Sequence, residues 1–193
     1  MDNENFKKKD LRVKKTNRAL LDALLTLLRD KNFNDITINE LCSVAFISRA
    51  TFYAHFRDKY DLLEYWLDGL KKHIIKDINN YNKLEALING TIASNKKIIA
   101  HIMKGVNSET LTLVQNFIAS VIEPAIKRKL RNQNNAHHTI LFNFFVGGLL
   151  QLIFWQVKNN FPPDFNMMNS YLYDMRDCLM EWDAEQEQST VSQ

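Results

Sequence analysis

The sequence predicts an all-α chain, and three observations carry that prediction. Apolar residues recur at three- and four-residue spacing over most of the length, the spacing that lines one face of a helix. Only 5 Gly and 3 Pro punctuate the 193 residues, too few for the turns of a sandwich or barrel. No stretch shows the period-two alternation of a half-buried strand, and no segment repeats. With 46% apolar residues the chain can bury a substantial core, either as one full-sized domain or as a small domain joined to a larger one.

The elements follow in order. Leu20, Leu21, Leu24, Leu25, Leu27 and Leu28 form a stripe that predicts a helix over about residues 11–30, with basic first turns and apolar later turns. Thr37 followed by Glu40 reads as a capping box opening a short helix through Leu41 and Val44. Ser48 is an N-cap for a second short helix through Arg49, Thr51, Phe52 and Phe56. Only Ala45–Ile47 separate the two, so they must cross steeply, as in a helix-turn-helix unit. Phe52 and Phe56 carry the spacing of a packed face.

Asp58 then caps a long helix whose Leu63, Trp66, Leu67, Leu70, Ile74 and Ile78 share a face. Weaker helical stretches are expected near 82–90 and 95–104, and a long one near 107–131 that Pro124 should kink or break. The segment 137–159 is an apolar helix, Phe161-Pro162-Pro163 enforces a stop, and Met168, Leu172, Met175, Leu179 and Trp182 define a last amphipathic helix. The polar tail beyond Glu185 is expected to fray. The expected domains are 1–57 (helix-turn-helix with a basic arm), 58–185 (helical) and 186–193 (tail).

Charge narrows the function. The net charge is only +3, yet residues 7–18 hold seven Lys/Arg against one Asp, while residues 62–193 balance at 13 of each sign. A basic end on a neutral chain points to a polyanion, the alternative being a merely solvated arm. A second basic cluster, Lys127, Arg128, Lys129 and Arg131, reads as a favourable helix C-terminus, the alternative being a DNA contact. Thr139–Val157 is free of formal charge and approaches membrane-spanning length, but Asn143, Gln151, Gln156 and Gly147-Gly148 favour a helix buried between others. Cys42 and Cys178 lie far apart, which suggests a reduced, cytoplasmic protein. His101, His137 and His138 lack companions at ligand spacing, so no metal and no cofactor are expected. No phosphate loop, nucleophile elbow or HExxH occurs, and an enzyme is not expected.

The stretch DITINELCSVAFISRATFYAHFRDKYDLL resembles the N-terminal domain of TetR/AcrR-type transcriptional regulators, carried by Thr37, Ser48, Tyr53, Phe56 and Lys59 over roughly residues 11–65. One position departs: the turn residue usually held by Gly is Phe46, so the turn must adopt another conformation or accept strain. The resemblance implies double-stranded DNA as partner, with the second short helix in the major groove. There Ser48, Arg49, Ala50 and Thr51 face the bases, and Arg49 is the best reader, since its guanidinium suits guanine O6 and N7. Thr51 suits a thymine methyl or a phosphate; Thr37, Tyr53, His55 and Lys59 suit phosphates, His55 being equally compatible with a neutral half-buried role. Lys14, Lys15 and Arg18 suit the flanking backbone or minor groove.

The same resemblance implies a C-terminal domain that forms a two-fold homodimer and often encloses a small-molecule effector. Phe144, Gly147, Gly148, Gln151 and Trp155, with Leu172, Met175 and Leu179 of the last helix, are the expected interface. Trp66, Met103, Phe117, Phe142 and Met175 can line a pocket, although core packing explains their spacing as well. The expected function is therefore a dimeric, signal-responsive regulator, by analogy a repressor, on a palindromic operator. The alternative is a helical scaffold or membrane-associated protein using the helix-turn-helix for protein contacts.

Overall fold

The computed structural model describes residues 2–76, 90, 92–127 and 136–161. Among these every regular element is helical: α1 (Asp2–Leu27), α2 (Ile38–Ala45), α3 (Arg49–Tyr53), α4 (Lys59–Lys76), α5 (Lys96–Met103), α6 (Ser108–Lys127) and α7 (Ala136–Lys158), with a 3-10 turn at Phe33–Asp35. The helix expected near 82–90, the last helix with Leu172, Met175 and Leu179, the tail, and Arg128, Lys129 and Arg131 lie outside the described residues. The chain divides into two compact units, residues 1–131 and 132–193.

In the first unit, α1 packs on α2 and α4, α2 on α3, α4 on α6, and α5 on the 3-10 turn. The stripe read from the sequence supplies the centre: Leu20, Leu24, Leu28, Leu41, Phe52, Leu62 and Leu63 are fully buried, and Phe33 and Ile36 nearly so. Closing this core fixes the short helices, since a five-residue helix such as α3 is not stable alone. The Phe52 ring also meets Tyr53 edge-on at 5.5 Å, and Phe56 meets Tyr65 at 5.6 Å.

One expectation is corrected. Helix α1 begins at Asp2 rather than near residue 11, so the basic segment is part of the helix. Lys, Glu and Arg are good helix formers and need no apolar period to extend a helix already anchored by its later turns. Pro124, expected to kink or break its helix, lies inside α6, which continues to Lys127, so the helix is not broken there. Burial of Val121 and Ile122 in the preceding turn offsets the backbone hydrogen bond that proline removes.

In the second unit, α7 ends where the sequence predicts a stop. Asn160 (φ 59°) and Phe161 (φ 52°) are left-handed, and the Phe161 N–H donates to Gln156 O at 2.8 Å. Val146, Leu150 and Gln156 are buried, whereas Ile140, Phe144, Gly147, Gln151 and Trp155, spaced four, three, four and four, form one exposed stripe. Gly148 is half-buried beside it. No described helix is long and apolar enough to cross a membrane.

Candidate nucleic-acid interface

Helix α2 starts at a reciprocal cap. The Thr37 hydroxyl accepts from Glu40 N–H at 3.3 Å, and the Glu40 carboxylate accepts from Thr37 N–H at 2.9 Å and from the Thr37 hydroxyl at 2.8 Å. Lys31 donates to the other Glu40 oxygen. The Lys31 hydrogen bond, followed by those from Thr37, lowers the Glu40 pKa from 4.5 to about 2. A carboxylate with a depressed folded-state pKa stabilises the fold when ionised. Its contribution is whole above pH 4.5 and is lost as pH falls through about 2. Urea midpoints measured at pH 7 and pH 3 should therefore fall further in wild type than in Glu40→Gln; equal falls would detach Glu40 from the acid response.

The turn that follows resolves the Phe46 question. Phe46 accepts the strain, with φ 56° and ψ 41° in the left-handed region. The Ile47 N–H reaches Cys42 O at 3.0 Å and the Phe46 N–H reaches Ser43 O at 3.3 Å, so the backbone closes the Schellman motif that a glycine would make. The Phe46 ring gains nothing from the fold, being 95% exposed. A left-handed non-glycine residue costs roughly 1–2 kcal/mol, part of which glycine gives back as unfolded-chain entropy. Phe46→Gly is thus expected to stabilise the protein by about 0.5–1 kcal/mol, seen as a higher unfolding midpoint.

Ser48 caps α3: its hydroxyl accepts from Thr51 N–H at 3.1 Å and lies 2.9 Å from the Thr51 hydroxyl. Ser48, Arg49 and Ala50 are exposed at the head of α3, with Thr51 half-buried. The Arg49 guanidinium sits 5.9 Å from the centroid of the Tyr53 ring, one turn on, which restrains a flexible side chain beside the helix N-terminus. Asn17 Oδ1 lies 2.7 Å from His55 Nδ1, tying α1 to the residues just after α3. Because Asn17 Oδ1 only accepts, His55 donates from Nδ1 and leaves Nε2 for another partner.

Lys59, expected at a phosphate, is turned inward in the free protein. Its ammonium donates to Phe33 O at 3.0 Å, Asn34 O at 2.8 Å and Ile36 O at 3.0 Å, over the Phe33 ring at 5.0 Å. Burial pushes its pKa below the ordinary lysine value.

On α1 the basic residues from Arg12 to Arg18 fall into two sets. Lys14 pairs with Asp10 at 2.7 Å and Arg18 with Asp22 at 3.2 Å, both exposed pairs one turn apart. Lys15 and Arg12 are exposed, and neither makes an ion pair among the described residues. Arg12 is not among the residues expected at DNA from the sequence, yet the sequence holds its signal: Lys14 and Arg18 have an acid four residues away, whereas Arg12 and Lys15 have none.

Elsewhere, Trp66 and Met103 are buried, and Phe117 and Phe142 are half-buried. Trp66 and Phe117 belong to the packed helices α4 and α6; Phe142 lies in the second unit and Met175 outside the described residues. Among the described residues no group of three or more His, Cys, Asp or Glu could hold a metal ion.

The comparisons agree with this geometry. Residues 20–65 match the family model described as bacterial regulatory proteins, tetR family. No curated protein matches the chain. The fold is similar to a TetR transcriptional regulator from Streptococcus agalactiae 2603V, with a TM-score of 0.62 at 19% identity, covering 86% of this chain and 96% of that one. It is similar also to a tetR-family transcriptional regulator from Streptomyces coelicolor, with a TM-score of 0.65 at 14% identity over 93% of this chain and 86% of that one. A third similar structure is the dihydroxyacetone kinase operon activator DhaS, with a TM-score of 0.54 at 13% identity over 89% and 95% of the two chains. Residues 20–65, from the second half of α1 into α4, thus carry the helix-turn-helix domain of the bacterial regulatory proteins of the tetR family, on a fold similar to that of TetR-type transcriptional regulators.

Proposed function

We propose that the protein is a dimeric, sequence-specific transcriptional repressor in the cytoplasm that places one α3 in the major groove of each half of a palindromic operator. One observation carries this reading: the head of α3 is capped by Ser48 and presents exposed Arg49 and Ala50 within a tetR-family domain. Arg49 and Thr51 read base edges there, while Thr37, Tyr53, His55 Nε2, Lys15 and Arg12 meet phosphates. Residues 1–57 form the reading head and 58–185 the dimerisation and effector part.

The exposed stripe of Ile140, Phe144, Gly147, Gln151 and Trp155 supports pairing through α7. A Cβ added at Gly147 would meet nothing within 4 Å, so a second helix can approach there closely. An effector is supported by the fully buried Thr110 at the head of α6, a helix that packs on α4, since its hydroxyl has no hydrogen-bond partner among the described residues. Binding there would reposition the reading heads and so change operator affinity.

The decisive experiment selects bound duplexes from a random pool at physiological salt. A motif with two-fold symmetry is expected; salt-sensitive bulk binding without a motif would sink the reading. Because one protein of this fold is named an operon activator, a promoter–reporter assay reads the sign, and loss of the protein should raise expression.

A further inference from the structure

We propose that Phe46 is a specificity-determining residue whose ring meets a thymine 5-methyl group at the edge of each half-site. This rests on the reading of the chain as a duplex reader. It adds a residue that the helix-turn-helix geometry alone leaves unused.

Phe46 holds a left-handed backbone that glycine would hold without strain, and its ring is 95% exposed, more than any other large apolar side chain among the described residues. The fold therefore gains neither conformational ease nor buried area from a phenylalanine here. Strain kept at an exposed position points outward, to something the side chain meets in a complex. Chain connectivity names the partner. Phe46 lies two residues before the Ser48 cap and three before Arg49, so its Cα is within about 11 Å of the arginine's.

A ring at the head of a groove-reading helix faces base edges, and the thymine methyl is the apolar group displayed there. Val44, 37% exposed, adds apolar surface on the α2 side of the turn. The surrounding surface is polar, with Ser43, Ser48 and Arg49 exposed, so the ring adds an apolar contact that neither the arginine nor the hydroxyls can supply.

The test starts from the duplex enriched by the full-length wild type. Its thymines are replaced one at a time by 2′-deoxyuridine, which removes only the methyl group. Wild type should lose about 3–5-fold in affinity at one thymine of each half-site, the worth of one buried methyl. Phe46→Gly removes the contact from both half-sites, so it should bind the parent duplex roughly 10–25-fold weaker and be indifferent to that replacement, while its unfolding midpoint is no lower than wild type's. Identical uridine profiles for the two proteins would overturn the proposal, leaving Phe46 as tolerated strain. A uniform loss in Phe46→Gly with an unchanged profile would also overturn it, showing a contact to the sugar–phosphate backbone. Failure of wild type to enrich any motif would be a separate result and would remove the duplex-reader reading itself.

Discussion

Replacing Lys59 with methionine should destabilise the first unit by about 2 kcal/mol, although the stem of the side chain is kept. Three carbonyls, those of Phe33, Asn34 and Ile36, converge on the ammonium within 3.0 Å. Simple addition of three charge-assisted bonds would suggest about 5 kcal/mol or more. Two of the carbonyls have a fallback, however. The bond to Asn34 O is exposed, so water can replace the lysine, and Phe33 O also accepts from Ile36 N–H at 3.2 Å. The loss concentrates on Ile36 O and on the register between the 3-10 turn and the first turn of α4. Urea unfolding should show the change, and a thermal midpoint should fall by about 4–8 °C for a chain of this size. Lys59→Arg should not rescue it, since a planar guanidinium fork cannot aim three donors at one convergent set of carbonyls. Wild-type stability with lost DNA affinity in Lys59→Met would instead place its main role at a phosphate.

The helix-turn-helix unit is legible in the sequence because its boundaries are chemical. Thr37 with Glu40, Ser48 and Asp58 announce the starts of α2, α3 and α4, and each makes the cap that its side chain can make. The leucine stripe of α1 and the paired Phe52 and Phe56 are equally readable, since periodicity fixes which face is buried. The inward turn of Lys59 is not readable: three carbonyls twenty-three to twenty-six residues away converge only after the chain has closed. The same holds for the 2.7 Å bond between His55 and Asn17, and for His101 Nδ1, which reaches Leu28 O at 2.7 Å to join α5 to the end of α1. Phe46 is intermediate. The sequence shows a bulky residue in a glycine's place, and only the backbone reveals that strain was chosen over a different turn.

Arg49→Ala is expected to have the largest effect on DNA binding and to change its kind as well as its strength. Arg49 is exposed at the first turn of α3, where its guanidinium rests 5.9 Å from the Tyr53 ring centroid. A bidentate arginine–guanine contact is worth about 1–3 kcal/mol per base pair. A two-fold dimer makes the contact twice, so operator affinity should fall by roughly 30-fold to 25,000-fold if the half-sites contribute independently. The preference at one base pair per half-site should relax, with the rest of the motif intact. Lys15→Ala is the control with a different signature, since Lys15 is exposed, makes no ion pair among the described residues and is proposed at a phosphate. Its loss should weaken all duplexes alike and reduce the salt slope by about one per phosphate contact. Selection from a random pool with each variant separates the two, because the pool reports preference and the salt series reports charge. An Arg49→Ala motif identical to wild type at every position would remove Arg49 as a base reader and leave that role to Thr51 and the turn.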